Sequence, residues 1–310
     1  MTTWGEHVEQ YLQIRRSLGA KLVEAERDLR EFAAAMQTQG QDFITVTDAI
    51  NWAVTLLPGC ERLALTRASR RIGSVRGFAL YLAAIDPRNQ IPPAGCLSVK
   101  HTRPTPRIFS LADIQALIQA ARQLRYRDRD VTYPVLFGLL ACTGIRIGEA
   151  LRLHRAQTDL DEGILTINDS KSGTSRLIPL HPSTLEVLRE YDQWRGRFDT
   201  RANDPLFFTG PNQAPIPYSN VYHVFNQTCH AAGLDRIEPR CHIHCMRHSF
   251  AVNTLINWVQ NGQDVQAIMP VLSTWLGHVE PKDTYWYLTA VPELMGLAVK
   301  LLATTETWLP

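Results

Sequence analysis

Between Asp86 and Arg107 the chain carries Pro87, Pro92, Pro93, Pro104 and Pro106 among few large apolar residues. Proline lacks an amide hydrogen and pushes the preceding residue out of the helical region, so no helix runs through such a stretch. Whatever the 310 residues fold into must be divided here. The division predicted is a first domain at 1–100, a linker at 101–107 and a second domain at 108–310. A length of this order fits about two domains.

Before the break the pattern is helical. From Glu24 to Met36 the apolar set Leu29, Phe32, Ala33 and Met36 recurs at helical spacing, and Gly40 supplies a stop. Thr47 is the expected N-cap of a helix carrying Ile50, Ala53, Val54 and Leu57, which Pro58-Gly59 ends. From Leu65 to Ala84, Ile72, Val75, Ala79 and Leu82 form an apolar stripe, while Arg67, Arg70 and Arg71 fall on another face. With Arg62 and Arg76 these arginines lie in a stretch that contains no acid. Such a face is either simply solvated or suited to DNA phosphates, which orient a protein on the duplex without reading sequence.

After the break, Ser110 and Asp113 make a capping-box-like start for a helix buried through Ile114, Leu117, Ile118 and Ala121. A second apolar helix through Val135 to Leu140 halts near Thr143-Gly144, and a third begins about Arg146. The period then changes. Ile164 to Ile167 and Arg176 to Leu180 are expected as two strands of a hairpin with Lys171 near its tip, and Asp159-Leu160-Asp161-Glu162 as a solvated turn before them. The remainder is predicted mainly helical, with loops at Asn203 to Pro217 and Asn261 to Pro270. The fold class is mainly α with a small β-sheet.

The net charge of +2 argues neither for nor against nucleic acid. Of the 32 basic residues only five are lysine, a bias that either favours a phosphate-bearing partner, since the guanidinium fork matches phosphate oxygens in pairs, or reflects GC-rich coding. No run approaches the roughly 18 apolar residues of a membrane span, and the first residues lack the basic start and apolar stretch of a signal peptide. A soluble cytoplasmic, nucleoid-associated protein with reduced cysteines and no membrane partner is expected. Cys241, His242, His244, Cys245 and His248 are dense in zinc-ligand types but lack a second pair at finger spacing. No metal and no cofactor is expected.

Four separated stretches carry the chemistry. They are Thr143-Gly144-Ile145-Arg146-Ile147-Gly148-Glu149-Ala150-Leu151; Lys171, with Arg176-Leu177-Ile178-Pro179-Leu180 following it; His244-Cys245-Met246-Arg247-His248; and Leu276-Gly277-His278 with Thr284-Tyr285-Trp286-Tyr287. In that order they resemble the tyrosine recombinase, or phage integrase, family. The resemblance implies an N-terminal helical, SAM-like core-binding domain and an α+β catalytic domain with a C-terminal helix, together forming a C-shaped clamp on DNA.

It also implies roles. Arg146, Arg247 and His278 clamp the scissile phosphate, and Glu149 supports Arg146 or its helix end. Lys171 protonates the leaving 5′ oxygen and His244 is the base. Tyr287, nine residues after His278 as in the family, is the nucleophile in preference to Tyr285. These residue types suit the reaction: attack on a phosphodiester builds charge on non-bridging oxygens, which fixed cationic donors stabilise. A tyrosine, with an ordinary pKa of about 10, needs an acceptor to react at neutral pH.

The implied function is a site-specific recombinase of mobile-element or plasmid type, cutting double-stranded DNA through a 3′-phosphotyrosine. It would act as a tetramer, with accessory recombinases as further partners. A C-terminal helix over Pro292 to Leu302 would pack on its own domain or a neighbour's. The competing readings are a non-catalytic DNA-binding relative and a topoisomerase of the IB type.

Overall fold

The computed structural model describes residues 3–55, 61–97, 105–126, 128–168, 175–197, 206–290 and 296, with the backbone alone at 61–64 and 289–290. The chain forms two compact units, Met1–Arg103 and Pro104–Pro310, each with its own core.

The first unit is four helices: α1 (Trp4–Ser17), α2 (Val23–Thr38), α3 (Val46–Thr55) and α4 (Glu61–Ala83). Thr3 caps α1 through a capping box with Glu6. Gly40, at φ +67°, follows α2 in a left-handed conformation that costs glycine little. The cap of α3 is Thr45 rather than Thr47. Its hydroxyl accepts from the Asp48 amide at 3.0 Å, which moves the helix start forward. Leu12, Leu29, Phe32, Met36, Val75 and Phe78 are fully buried, and Trp52 meets the Phe32 ring edge-on at 5.1 Å.

The arginine face of α4 is partly consumed by this packing. Arg71 is buried with its guanidinium 3.9 Å from the Trp52 ring, and burial depresses its pKa despite Glu31 at 3.5 Å. Arg70 pairs with Glu24 at 2.8 Å and with the buried Asp28 at 3.2 Å. Arg67 alone of the three named arginines is exposed. The expectation of a shared DNA-contacting face is therefore corrected for Arg71, which the core withdraws from solvent, and for Arg70, whose charge answers two carboxylates of α2.

The second unit opens with α5 (Leu111–Arg122), where Ser110 and Asp113 form the anticipated capping box, and α6 (Arg129–Thr143), which stops at the left-handed Gly144. A short α7 (Ile147–Ala150) follows. Strands β2 (Ile164–Ile167) and β3 (Arg176–Pro179) pair antiparallel with Ile167 opposite Arg176, and a two-residue β1 (Thr158–Asp159), not anticipated, adds to the edge of β2. The Asp159 carboxylate accepts from the amides of Asp161 and Glu162, forming the expected turn.

Five α-helices follow among the described residues: α8 (Pro182–Gly196), α9 (Tyr218–Ala231), α10 (Cys245–Gln260), α11 (Val265–Leu276) and α12 (Lys282–Ala290). The loop expected to reach Pro270 ends earlier. Asp264 caps α11 by accepting from the Gln266 amide, and Pro270 lies inside the helix. One core gathers α5, α6, α8, α9 and the sheet around Phe137, Leu165, Ile178, Tyr191 and Phe225; a second joins α10, α11 and α12 through Val252, Leu255, Leu272 and Leu276. Lys171 and, apart from residue 296, the Pro292 to Leu302 segment lie outside the described residues. Among the described residues no helix is long and apolar enough to cross a membrane.

The packing of α4 on α2 makes a distinct prediction for its arginines. Arg70→Ala leaves the buried Asp28 short of a donor and is expected to lower stability by about 2 kcal/mol. Arg67→Ala is expected to change it by less than about 0.5 kcal/mol, both read from urea unfolding followed by circular dichroism.

Candidate active site

Three arginines from three elements converge on the C-terminal end of α11. Arg176, the first residue of β3, donates from Nε to the Trp275 carbonyl at 2.7 Å. Arg247, on the first turn of α10, donates from Nη2 to the Leu276 carbonyl at 2.5 Å and from Nη1 to the Gly144 carbonyl at 2.8 Å. Arg146, preceding α7, donates from Nη2 to the Gly277 carbonyl at 3.0 Å. The last carbonyls of a helix carry partial negative charge and no intrahelical partner, so they are natural seats for guanidinium groups.

Glu149 completes the arrangement. One carboxylate, almost wholly buried, accepts from the Arg146 amide at 2.9 Å and its Nη1 at 2.9 Å, and from Arg176 Nη2 at 2.7 Å and Nη1 at 3.2 Å. Burial alone would raise its pKa. The hydrogen bonds from Arg176 and Arg146 and the Arg176 charge outweigh that and hold it at about 2. Glu149 thus bonds both Arg146 and Arg176, the latter expected from the sequence only as the start of a strand.

Two glycines allow these approaches. Gly277 has φ +65°, and a Cβ there would stand 2.8 Å from Arg176 Nη1. Gly144 has φ +63°, and a Cβ there would stand 2.4 Å from the Phe250 ring. Trp275 ties the same two segments together by donating from Nε1 to the Thr143 carbonyl at 2.8 Å.

Against three guanidinium groups the cluster holds one carboxylate. Arg247 bears the imbalance: burial, and then the nearby charge of Arg146, lower its pKa to about 10. An anion brought to this cluster would relieve that cost.

Tyr287 lies against α10. Its ring is 1% exposed, in the core of α10 and α11, and its hydroxyl meets Nδ1 of the buried His248 at 2.9 Å. It is also close enough to Arg247 to affect that residue's ionisation. Tyr285 is 44% exposed. His244 stands at the exposed start of α10, with its ring centroid 4.6 Å from that of His248, edge-on. The ring paired with the Tyr287 hydroxyl is therefore His248, which sequence reasoning missed; His248 directly follows Arg247, and its place one helical turn beyond His244 was the available signal.

His278 follows Gly277, and its Nδ1 meets Thr284 Oγ1 at 2.7 Å. Arg240, His242 and His244 are exposed and alternate with the buried Cys241 and Ile243, so basic side chains line the approach to α10. Cys245 Sγ meets His242 Nδ1 at 3.3 Å. Among the described residues no group of three or more His, Cys, Asp and Glu is placed to hold a metal ion.

The ionised Glu149 stabilises the fold above about pH 4.5, and that contribution is lost as the pH falls towards 2. Wild-type protein is expected to lose about 2 kcal/mol between pH 5 and pH 3 that Glu149→Gln does not lose. Parallel urea titrations at pH 5 and pH 3 read the difference; equal acid sensitivity of the two proteins would contradict it.

Residues 108–293 match the phage integrase family. The protein y4rB of Sinorhizobium fredii, named as an integrase/recombinase, is 41% identical over 97% of this chain and 98% of its own length. The tyrosine recombinase XerC of Lacticaseibacillus casei is 28% identical over 90% of this chain and 91% of its own. Among solved structures, the Tn1549 transposon integrase in complex with transposon right end DNA superposes with a TM-score of 0.67 at 14% identity, covering 97% of this chain and 99% of that one. The XerH site-specific recombinase bound to its palindromic difH substrate gives 0.64 at 17% identity, over 89% and 78%. The chain belongs to the phage integrase family, the tyrosine recombinases, enzymes that break and rejoin DNA strands.

Proposed function

We propose that the chain is a site-specific DNA recombinase of mobile-element or plasmid type that cuts by transesterification through Tyr287. The observation that carries the reading is the Tyr287 hydroxyl seated on His248, beside a buried, under-compensated Arg247. A tyrosine serving only as packing has no need of an imidazole and an excess of positive charge at its hydroxyl.

In this reading Arg146, Arg247 and His278 take the non-bridging oxygens of the scissile phosphate, where charge grows in the transition state. The Tyr287 oxygen attacks phosphorus as its proton passes to His248, and the exposed His244 beside that ring connects the pair to solvent. His248 thus takes the step that the resemblance gives to His244. The P–O5′ bond breaks, Lys171 protonates the departing oxygen, and the 3′ end remains on Tyr287 as a phosphodiester. A free 5′ hydroxyl from a partner strand reverses the step, so the bond energy is conserved and no nucleotide is spent. Exchange between two duplexes calls for an assembly of protomers, a tetramer in the family pattern, with accessory recombinases as further partners. Arg67 in the first unit and Arg240 before α10 are exposed cations suited to phosphates.

A suicide substrate bearing the target site and a nick traps the intermediate. Wild-type and Tyr285→Phe proteins are expected to yield a covalent protein–DNA band on a denaturing gel, and Tyr287→Phe none. The opposite pattern would move the nucleophile to Tyr285.

A further inference from the structure

We propose that Thr284 is a positioning residue for strand cleavage, acting through His278, so that the helix carrying the nucleophile also sets a donor of the phosphate clamp. The proposal rests on the reading of Tyr287 and His278 given above.

Thr284 is fully buried, and its hydroxyl lies 2.7 Å from Nδ1 of His278. His278 leaves α11 just beyond the left-handed Gly277, with its amide bonded to the Ser273 carbonyl at 3.0 Å. That fixes the backbone, while the orientation of the imidazole is set by its side-chain torsions and by the groups its ring meets, Thr284 Oγ1 among them. A ring that serves a phosphate oxygen must carry a hydrogen on Nε2. A neutral imidazole protonated on Nδ1 alone cannot supply one.

A hydroxyl is compatible with this in either charge state. It donates to Nδ1 of the neutral ring and accepts from Nδ1 of the imidazolium, and in both cases Nε2 keeps its hydrogen. A carboxylate in the same place would only accept and a methyl group would do neither. Threonine is also stiff at χ1, which holds the hydroxyl in place.

The location of Thr284 gives the contact a second meaning. Thr284 and Tyr287 are three residues apart on α12 and share a face of the helix. The contacts that seat Tyr287 on His248 and Thr284 on His278 therefore form or break together. A site lacking its nucleophile would also lack an oriented His278, so binding a phosphate without a seated tyrosine gains less than the full clamp.

The test is a double-mutant cycle on single-turnover cleavage of a nicked suicide substrate, with DNA binding measured in parallel by gel shift. Thr284→Val keeps the shape and removes the hydroxyl; it is expected to slow covalent adduct formation by about tenfold or more while binding stays within about twofold, as for loss of a group that fixes a catalytic imidazole. Thr284→Ser is expected to recover the rate to within about threefold. In a His278→Ala background, Thr284→Val should cost less than about twofold, because the ring it orients is gone. An equal loss in both backgrounds would assign Thr284 to helix packing and overturn the proposal, as would a Thr284→Val rate within twofold of wild type. If Thr284→Val does not fold, Thr284→Ser and Thr284→Ala decide, with an equally slow serine variant counting against the proposal. Absence of any adduct from wild-type protein would strike the recombinase reading itself.

Discussion

The second unit is organised by one electrostatic arrangement: three guanidinium groups gathered at the carbonyl end of a single helix, two of them paired with one buried carboxylate. Each arginine comes from a different part of the chain, and each is held by backbone carbonyls that would otherwise lack partners. The helix end and Glu149 neutralise only part of that charge. Burying unbalanced charge is costly, and the depressed ionisation of Arg247 is where the cost registers. A protein selected for stability alone would gain from removing a cation. Keeping all three suits a site whose missing counter-charge is a phosphate.

The same arrangement explains why the chain must be glycine at two places and why α12 sits where it does. Side chains at Gly144 or Gly277 would displace Phe250 or Arg176 and pull the carbonyls away from their donors. With the carbonyl end of α11 fixed, His278 leaves it at a defined point, and α12 packs back on α11 so that Tyr287 joins the core containing Leu255, Leu272 and Leu276 and meets His248 of α10. Packing energy thus positions Tyr287, and the contact with His248 sets the orientation of its hydroxyl.

Much of this was legible in the sequence, because family motifs and helical signals are local. The capping box at Ser110, the stop at Gly144, the β2–β3 pairing and the order of Arg146, Arg247, His278 and Tyr287 are all written within short windows. What was not legible depends on contacts across the fold. The pairing of Tyr287 with His248 joins residues 39 apart, and the bridge from Arg176 to Glu149 joins residues 27 apart. Arg70 and Arg71 look like one solvated face until α2 and Trp52 are placed against them. Pro270 reads as a loop signal, yet apolar burial around Met269 and Leu272 carries the helix through it. The competition between Thr45 and Thr47 as a cap turned on one amide, that of Asp48.

The central claim is that the arginine cluster compensates charge on the non-bridging oxygens of one phosphodiester. Cleavage by Arg247→Ala of two substrates, one with an ordinary scissile phosphate and one with a neutral methylphosphonate there, tests it most directly. Each rate is taken relative to wild type on the same substrate, and the comparison between substrates is independent of how much variant is folded. Loss of one such donor is expected to cost about a hundredfold to a thousandfold on the phosphate. On the methylphosphonate the loss should shrink to less than about tenfold, since a neutral methyl group replaces one charged non-bridging oxygen and the transition state carries one negative charge fewer. An equal loss on both substrates would contradict the account and leave Arg247 as a structural residue alone.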